Sequence, residues 1–280
     1  MTLSTQQAGG LDPETPISVL RRFGITTLEQ NMDDFVVVAQ MPHAAMRNPF
    51  TGHPSVAALA VLIDDVGGRV NYYRRGLGEW TVSSELNMEM SPGAVESLLN
   101  APDEPVVASA RPLGPAGATW LSVCTLSHRG RVIGGGTVRT VALTGGPEEP
   151  QRRGEDPLTR TNETPLADLM AVEPLPADGG AYRLRQHPDP MINNLIGIVH
   201  GGVSSAGLEL VGAAALNHEQ QTPLRTASIR VNFLRPFTSG AQSVYEATAL
   251  RIGRTSAVAD AAAIGPDGRP AVIARVTGYR

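Results

Sequence analysis

The fold is decided by a stretch that reads Asn194-Leu-Ile-Gly-Ile-Val-His-Gly-Gly-Val-Ser-Ser-Ala-Gly-Leu-Glu-Leu-Val-Gly212. The small and apolar residues in its second part predict a helix over residues 202–216. Glu209 is the only ionisable side chain in residues 201–216. A carboxylate among apolar residues is costly to bury, and its pKa should be raised unless something pairs with it. The stretch therefore predicts a buried helix that carries one acid.

Strands surround this helix on both sides in the sequence. A strand at residues 182–186 and a turn-rich segment at 188–197 precede it, and turns with Gly and Pro separate the strands after it. These later strands are predicted at residues 226–234, 242–252, 256–264 and 271–279. One helix followed by a run of antiparallel strands implies a sheet with a helix on one face. Apolar residues on almost every side of the helix suit a curved sheet that wraps around it.

The first half of the chain repeats this order. It predicts a strand at residues 35–40, a turn at 42–54, a helix at 56–66, and strands at 69–74, 81–88, 106–111, 120–127 and 132–143. The segment Leu62-Ile-Asp-Asp-Val-Gly-Gly also resembles Leu208-Glu-Leu-Val-Gly-Ala. Similar segments in the same order indicate a repeat of roughly 145 residues.

The two halves are joined by a stretch in which Gly, Pro, Glu and Arg cluster and apolar periodicity is lost, which is typical of a linker. We predict an N-terminal extension at residues 1–29, a first domain at 30–145, a linker at 146–177 with a helical turn at 166–172, and a second domain at 178–280. The expected fold class is α+β, with two tandem domains that each wrap a curved antiparallel sheet around one central helix.

The composition excludes several functional classes. The 280 residues carry a net charge of −4 and a pI of about 5.9, whereas general nucleic-acid binders carry a basic footprint. Cys124 is the only cysteine, so an intramolecular disulfide and a cysteine-rich zinc site are excluded, and we expect no metal or other cofactor. No apolar run reaches about 18 residues, and the first residues lack a signal-peptide pattern. We therefore expect a cytoplasmic protein that does not enter the membrane.

The first half offers two acids, Asp64 and Asp65, at the end of an apolar run. The simplest interpretation is an ordinary ion pair or a helix end that reaches water. The glycines at 201–202 likewise have a simple interpretation, a tight turn with close packing. They also open a helix, whose N–H groups and positive dipole end suit a carbonyl oxygen that becomes negative during a reaction.

The positions of these groups favour a site shared between the two domains. Nine residues separate His200 from Glu209, which places their side chains on opposite sides of one helix and about 13 Å apart along it. If the two helices pack side by side, the glycine turn of one domain faces the acids of the other. Asn194, His200 and Gly201 would then meet Asp64 or Asp65.

The pattern Asn194-x-x-Gly197-x-x-His200-Gly201-Gly202, with an acid nine residues after the histidine, resembles the hotdog-fold thioesterases, especially the phenylacetyl-CoA thioesterase branch. The segments Ser228-Ile-Arg-Val-Asn-Phe-Leu-Arg-Pro236 and Arg251-Ile-Gly-Arg254-Thr are similar to that branch as well. The resemblance spans nearly all of residues 181–280, and over 30–145 it rests mainly on the order of the elements. It implies two tandem hotdog domains and the hydrolysis of acyl-CoA thioesters.

In that family the helix acid acts as general base or nucleophile, and a backbone N–H of the His-Gly-Gly turn polarises the thioester carbonyl across a pair of hotdog units. The resemblance implies that Gly201 supplies this donor and that His200 shapes the turn, with Gly202 beside the substrate. Asn194 would orient the substrate carbonyl or the attacking water.

The same resemblance gives the acid from the partner helix as Asp64, which aligns with Glu209 when Val66-Gly67 is set on Val211-Gly212. A shift of one residue would select Asp65 instead, so both acids stay candidates.

A second site would pair Glu209 with the turn at residues 48–55 of the first domain. This turn departs from the family pattern, because it has no His-Gly-Gly and Pro54 has no N–H to donate. The resemblance therefore implies an altered or inactive second site, with Asn48 and His53 as substitutes. We expect one working site per chain.

Arg235 and Arg254 are candidates for contacts with CoA phosphates, because a guanidinium group matches phosphate geometry; a solvated surface position is the alternative for each. Two other functions stay open. One is hydration or dehydration of an acyl thioester, and the other is non-catalytic binding of acyl-CoA, which the altered first domain motivates. We also expect a homodimer of chains, because hotdog proteins often assemble further.

Overall fold

Two long helices pack side by side against one large antiparallel sheet. The computed structural model describes residues 19–76, 78–144, 155–176, 180–218, 220 and 222–280. Residues 1–18 of the predicted extension, and 146–154 and 177 of the predicted linker, lie outside this description. The helices are α1 Val19–Phe23, α2 Ala58–Tyr73, α3 Ala94–Asn100, α4 Leu166–Leu169 and α5 Gly201–Leu216, and a 3-10 helix spans Pro190–Ile192.

The strands of the described residues form a single sheet of twelve. They are β1 Thr26–Asn31, β2 Val36–Met41, β3 Glu79–Met90, β4 Val106–Pro112, β5 Thr119–His128, β6 Arg131–Thr144, β7 Val172–Pro174, β8 Tyr182–Gln186, β9 Arg225–Phe233, β10 Val244–Ile252, β11 Ser256–Ile264 and β12 Pro270–Tyr279. β3 pairs with β9, from Glu85 opposite Asn232 to Glu89 opposite Ser228, and this pairing joins the two halves of the sheet.

The two halves have the same topology. From the centre outward, the first half runs β3, β6, β5, β4, β2, β1 and the second runs β9, β12, β11, β10, β8, β7. α1 and β1 thus match α4 and β7, which lie in the stretches predicted as extension and linker. The predicted repeat and the predicted fold class, two tandem hotdog domains, are confirmed by this order. α3 has no counterpart in the described part of the second half.

The predicted end of the first helix and the predicted strand at residues 69–74 are wrong. α2 continues to Tyr73 through Gly67 and Gly68, a pair that reads as a helix break in the sequence. A Cβ atom at Gly67 would lie 2.7 Å from a Val138 methyl group and 2.8 Å from the Ser122 hydroxyl. Gly67 therefore serves the close approach of α2 to the sheet, which compensates its cost of about 1 kcal/mol in a helix.

The two long helices are almost fully buried, as their apolar composition predicts. They come close together at the start of α5, where a Cβ atom at Gly202 would lie 2.5 Å from the Cα of Val61. This contact brings the first turn of α5 against the N-terminal half of α2. None of the helices in the described ranges is long and apolar enough to cross a membrane.

Candidate active site

The carboxylate of Asp64 lies at the first turn of α5. The Gly202 N–H donates to its Oδ2 at 2.6 Å, and the Ser83 hydroxyl of β3 donates to its Oδ1 at 2.8 Å. A Cβ atom at Gly201 would lie 2.7 Å from Oδ2. The glycines are thus required for a carboxylate to reach this helix end, where N–H groups lack intrahelical acceptors and the dipole favours negative charge.

His200 caps α5 and also faces the carboxylate. Its Nδ1 lies 3.1 Å from the Gly202 nitrogen and 3.3 Å from Asp64 Oδ2. Nδ1 accepts from the Gly202 N–H, which also donates to the carboxylate, so the imidazole and Asp64 share one backbone donor. The buried His200 therefore shapes the turn and lies in contact with Asp64.

Asn194 organises the loop that leads into the glycine turn. Its Oδ1 accepts hydrogen bonds from the Ile196 and Ile198 N–H groups at 3.1 and 3.3 Å. Gly197 completes this loop with a φ of 81°, a left-handed conformation that favours glycine. Asn194 therefore borders the loop before α5, and its side-chain oxygen serves the loop backbone.

The structure separates the two candidate acids of α2. Asp65 forms a buried ion pair with Arg69 at 2.7 Å, one helical turn further on. Arg69 also donates to the Thr27 hydroxyl of β1 at 2.9 Å. Asp65 thus links α2 to the edge of the sheet, and Asp64 is the acid that meets the His-Gly-Gly turn.

Asp64 borders a cavity of about 350 Å³. Gly201, Asn194 and His200 line it, while Gly202 lies beneath the surface. Most of the remaining wall is apolar and includes Tyr72, Trp80, Val82, Leu143, Ile196 and Phe233. The exposed Leu234 and Arg235 also line the cavity, so a cationic side chain stands where it meets solvent.

Glu209 occupies the equivalent position in the other half. The Thr226 hydroxyl donates to its Oε1 at 2.6 Å, and the Ser55 hydroxyl donates to its Oε2 at 3.0 Å. Burial raises the pKa of Glu209, and the two hydroxyl hydrogen bonds oppose this shift only in part. The adjoining pocket is about 20 Å³, close to the space of a single water molecule.

Ser55 corresponds to His200, a match that the sequence reasoning missed. Each lies just before a long helix and accepts from the N–H two residues later, and each contacts the acid of the other half. Asp64 follows Ser55 by nine residues, as Glu209 follows His200. This shared spacing was the signal that could have identified Ser55.

The predicted substitutes at this second site have other surroundings. Asn48 donates to the Leu210 carbonyl at 2.7 Å and accepts from the Phe50 N–H at 3.0 Å, so both ends of its amide are used structurally. His53 is exposed and borders the small pocket without a described hydrogen bond from its ring to Glu209.

α3 accounts for the small size of this pocket. Val95 of α3 borders it, and Glu96 forms an ion pair with Arg225 at the start of β9, at 3.6 Å. In the second half, the equivalent segment after β9, residues 234–237, instead lines the larger cavity. The extra helix therefore covers the side of Glu209 on which Asp64 has open space.

Arg254 lies far from the larger cavity. It lies two residues before Ser256, which pairs with Tyr279, and Tyr279 pairs with Arg225. Arg254 is therefore at the same end of these strands as Arg225. Phe233, which lines the cavity, is at the other end of β9. Nine residues of strand span about 25 Å. The structure thus brings Arg235, and not Arg254, to the cavity at Asp64.

The described residues contain no group of three or more His, Cys, Asp or Glu side chains that could hold a metal ion. The groups at the cavity are a carboxylate, an imidazole, a hydroxyl and the N–H groups of a helix N-terminus. Such a set can activate water and stabilise a developing oxyanion.

Residues 196–271, which include the His-Gly-Gly turn and Glu209, match the sequence model of the thioesterase superfamily. The chain is also similar to solved structures. TesB2, an acyl-CoA thioesterase II from Mycobacterium marinum, has a TM-score of 0.58 at 15% identity, over 93% of this chain and 96% of that chain. The tesB protein of Mycobacterium avium subsp. paratuberculosis has a TM-score of 0.59 at 11% identity, over 93% and 97%.

A protein with a hot dog fold from Alicyclobacillus acidocaldarius has a TM-score of 0.53 at 14% identity, over 89% of this chain and 97% of that chain. No curated protein matches the chain. At these identities the solved structures establish the fold, which is the double hotdog, and the superfamily match connects its second half with thioesterases.

Proposed function

We propose that this protein hydrolyses acyl-CoA thioesters to a free acid and CoA, at a single site between its two halves. The observation that carries the proposal is the position of Asp64. Asp64 belongs to α2 of one half, its carboxylate contacts the His-Gly-Gly turn of the other half, and it borders a cavity of about 350 Å³. A carboxylate next to a helix N-terminus offers a base and an oxyanion donor in one place.

In the proposed reaction, Asp64 acts as general base on a water molecule in the cavity. The water oxygen attacks the thioester carbonyl carbon, and Asp64 takes the proton. The tetrahedral intermediate then expels the CoA sulfur, which receives that proton back from Asp64 and leaves as a thiol. A direct attack by the carboxylate, followed by hydrolysis of the anhydride, would use the same residues.

The surrounding groups have distinct roles in this proposal. The Ser83 hydroxyl and the Gly202 N–H donate to the carboxylate and hold it in one orientation, and His200 lies 3.3 Å from it. Gly201, at the first helical position, supplies the N–H for the developing oxyanion. Arg235 is the candidate for a CoA phosphate, because it is exposed and lines the same cavity.

Glu209 has no comparable space around it, and we propose that it does not turn over substrate. Its pocket is about 20 Å³, too small for an acyl thioester, and α3 covers it. The protein would then have one working site per chain. A cytoplasmic location and assembly into a homodimer remain part of this proposal.

The test is a thiol-release assay with short, medium, long and aromatic acyl-CoAs. Asp64→Asn should lower kcat by about a thousandfold or more, since it removes the base without changing shape. Glu209→Gln, the matched change at the equivalent acid, should leave kcat within about threefold. Loss of turnover only in Glu209→Gln would overturn the choice of site.

Non-catalytic binding is the alternative function, since the Asp64 carboxylate already accepts protein donors on both oxygens. Calorimetry with the same acyl-CoAs distinguishes the two. Tight binding by a wild-type protein that releases no thiol, with affinity unchanged in Asp64→Asn, would establish binding without hydrolysis.

A further inference from the structure

One arm of the larger cavity follows α2 away from Asp64. Asp64, Gly68 and Tyr72 all line the cavity, and their spacing of four residues places them along one side of the helix. Gly68 lies about 6 Å and Tyr72 about 12 Å beyond Asp64 along the axis, at a rise of about 1.5 Å per residue. This arm leads toward the C-terminal end of α2, away from the loop that carries Arg235.

Gly68 leaves this arm open. A Cβ atom at Gly68 would meet no other atom within 4 Å, whereas one at the neighbouring Gly67 would collide with Val138. Packing therefore requires glycine at position 67 and not at position 68. A glycine inside a helix is unfavourable relative to alanine, so the open space above Gly68 is a feature that helix stability does not explain.

The far end of the arm is lined by an aromatic wall. Tyr72 and Trp80 meet edge to face with ring centroids 5.7 Å apart, and Leu143 pairs directly with Trp80 across the strands. The Arg75 guanidinium covers the Tyr72 ring at 3.2 Å. Arg75 also donates to the Glu79 and Tyr72 carbonyl oxygens at 2.9 and 2.7 Å, which links the end of α2 to the start of β3.

We propose that Gly68 and the wall of Tyr72 and Trp80 set the length of acyl chain that the cavity accepts, so that the preferred substrates carry medium-length acyl groups. This inference rests on the proposed thioester hydrolysis at Asp64. An extended chain advances about 1.3 Å per carbon, given bonds of about 1.5 Å at about 111°. The distance of about 12 Å from Asp64 to Tyr72 then accommodates about nine carbons. A cavity of about 350 Å³ is consistent with this limit, because it lies near the lower end of small-molecule sites.

The first test fills the arm halfway. Gly68→Leu projects a side chain into the open space about 6 Å from Asp64, so chains longer than about five carbons should be excluded. The kcat/KM ratio of decanoyl-CoA to butyryl-CoA should fall by about tenfold or more. Gly117→Leu is the matched control, because Gly117 also has no atom within 4 Å of an added Cβ, is exposed, and does not line the cavity. Its ratio should equal that of the wild type.

The second test removes the wall. Trp80→Ala should raise the kcat/KM ratio of tetradecanoyl-CoA to octanoyl-CoA by about tenfold, while Trp80→Phe should stay near the wild type. For Gly68→Ala, which adds one methyl group, the kcat/KM ratio of decanoyl-CoA to butyryl-CoA should lie between those of the wild type and Gly68→Leu. Ratios that are the same in Gly68→Leu, Trp80→Ala and wild type would overturn the inference while leaving hydrolysis intact.

Binding keeps the inference testable if no variant turns over. Calorimetry can titrate variants that also carry Asp64→Asn with butyryl-, decanoyl- and tetradecanoyl-CoA. Gly68→Leu should weaken the binding of the longer chains relative to butyryl-CoA, and Trp80→Ala should strengthen the binding of tetradecanoyl-CoA relative to the shorter chains. Affinities that do not depend on chain length would overturn the role of this arm, whatever the outcome of the hydrolysis assay.

Discussion

Two hydroxyl groups hold the two acids in matching ways, and this allows their contributions to be separated. Ser83 donates to Asp64 and Thr226 donates to Glu209, each from the strand that follows the long helix of its own half. Only Asp64 borders the larger cavity. If Ser83→Ala and Thr226→Ala differ in kcat, the difference therefore comes from the two sites and not from the loss of a hydroxyl group in general.

Ser83→Ala should lower kcat by about tenfold with little change in KM, because a hydrogen bond to a charged group contributes about 1.5–3 kcal/mol. Thr226→Ala should leave kcat within about twofold and lower the free energy of unfolding by about 1–3 kcal/mol. Steady-state kinetics and urea unfolding measure both quantities. A larger loss of kcat in Thr226→Ala than in Ser83→Ala would contradict the assignment of the working site.

Glu209 should make stability depend on pH. Burial raises its pKa, so its stabilising contribution is complete below the ordinary glutamate pKa and is lost as pH rises through the folded-state value. Glu209→Gln keeps the shape without titrating. Its unfolding free energy relative to wild type should therefore increase between pH 5 and pH 8, by about 1.4 kcal/mol for each unit of pKa shift. A difference that stays constant over this range would show that Glu209 is not strained by burial.

At the scale of elements, neighbouring glycines of α2 have opposite roles. Gly67→Ala should lower the free energy of unfolding by about 1–3 kcal/mol, because the added methyl group collides with Val138 and Ser122. Gly68→Ala should raise it by up to about 1 kcal/mol, since the space is open and alanine favours helix. Urea unfolding of the two variants compares them directly. The reverse order would mean that α2 does not run through both glycines as described.

The same two glycines show where sequence reasoning reaches its limit. Alternating strands such as β4 and β5 were predicted within a residue or two, because one buried face imposes a period of two. The helix end was misplaced, because a glycine needed for packing looks in sequence like one that breaks a helix. β1 is almost wholly exposed and therefore carries no apolar pattern to detect.

The site was predictable only in part for a related reason. Asp64, His200 and Gly201 stood out, because an acid in an apolar run and glycines at a helix start are unusual in sequence. Ser83 and Ser55 did not, because a serine on a strand or at a helix start is common. Their roles depend on contacts between elements, and the closing of the Glu209 pocket by α3 depends on an insertion with no sequence signal of its own.

At the scale of the whole molecule, Arg22 joins distant parts of the chain. This buried side chain of α1 donates to Asp156 at 2.6 Å and to Asp189 at 2.7 Å. Asp189 in turn caps the 3-10 helix that precedes the His200 turn. The ion pairs thus tie the start of the first half to the loop that builds the site.

Arg22→Leu should lower the free energy of unfolding by about 3–5 kcal/mol, because it leaves two carboxylates without their shared cation. Arg230→Leu is the control. Arg230 also joins the two halves, through Glu89 at 2.6 Å, but this pair is exposed, and such pairs contribute about 1 kcal/mol or less. Equal losses measured by urea unfolding would show that burial does not distinguish these two connections.

The proposed site uses residues from both halves, and one chain supplies both, so the proposed hydrolysis does not require the expected dimer. Specific activity should stay constant when the protein is diluted to concentrations at which light scattering shows that any dimer has dissociated.

A mixing experiment tests more directly whether the site is complete within one chain. Chains with Asp64→Asn lack the acid, and chains with Gly201→Ala carry a methyl group 2.7 Å from Asp64 Oδ2, so each alone should be nearly inactive. Their mixture should be inactive as well, because no chain holds a complete site. Recovered activity would mean that α2 of one chain meets α5 of another, and the tandem repeat would then act as half of a larger shared arrangement.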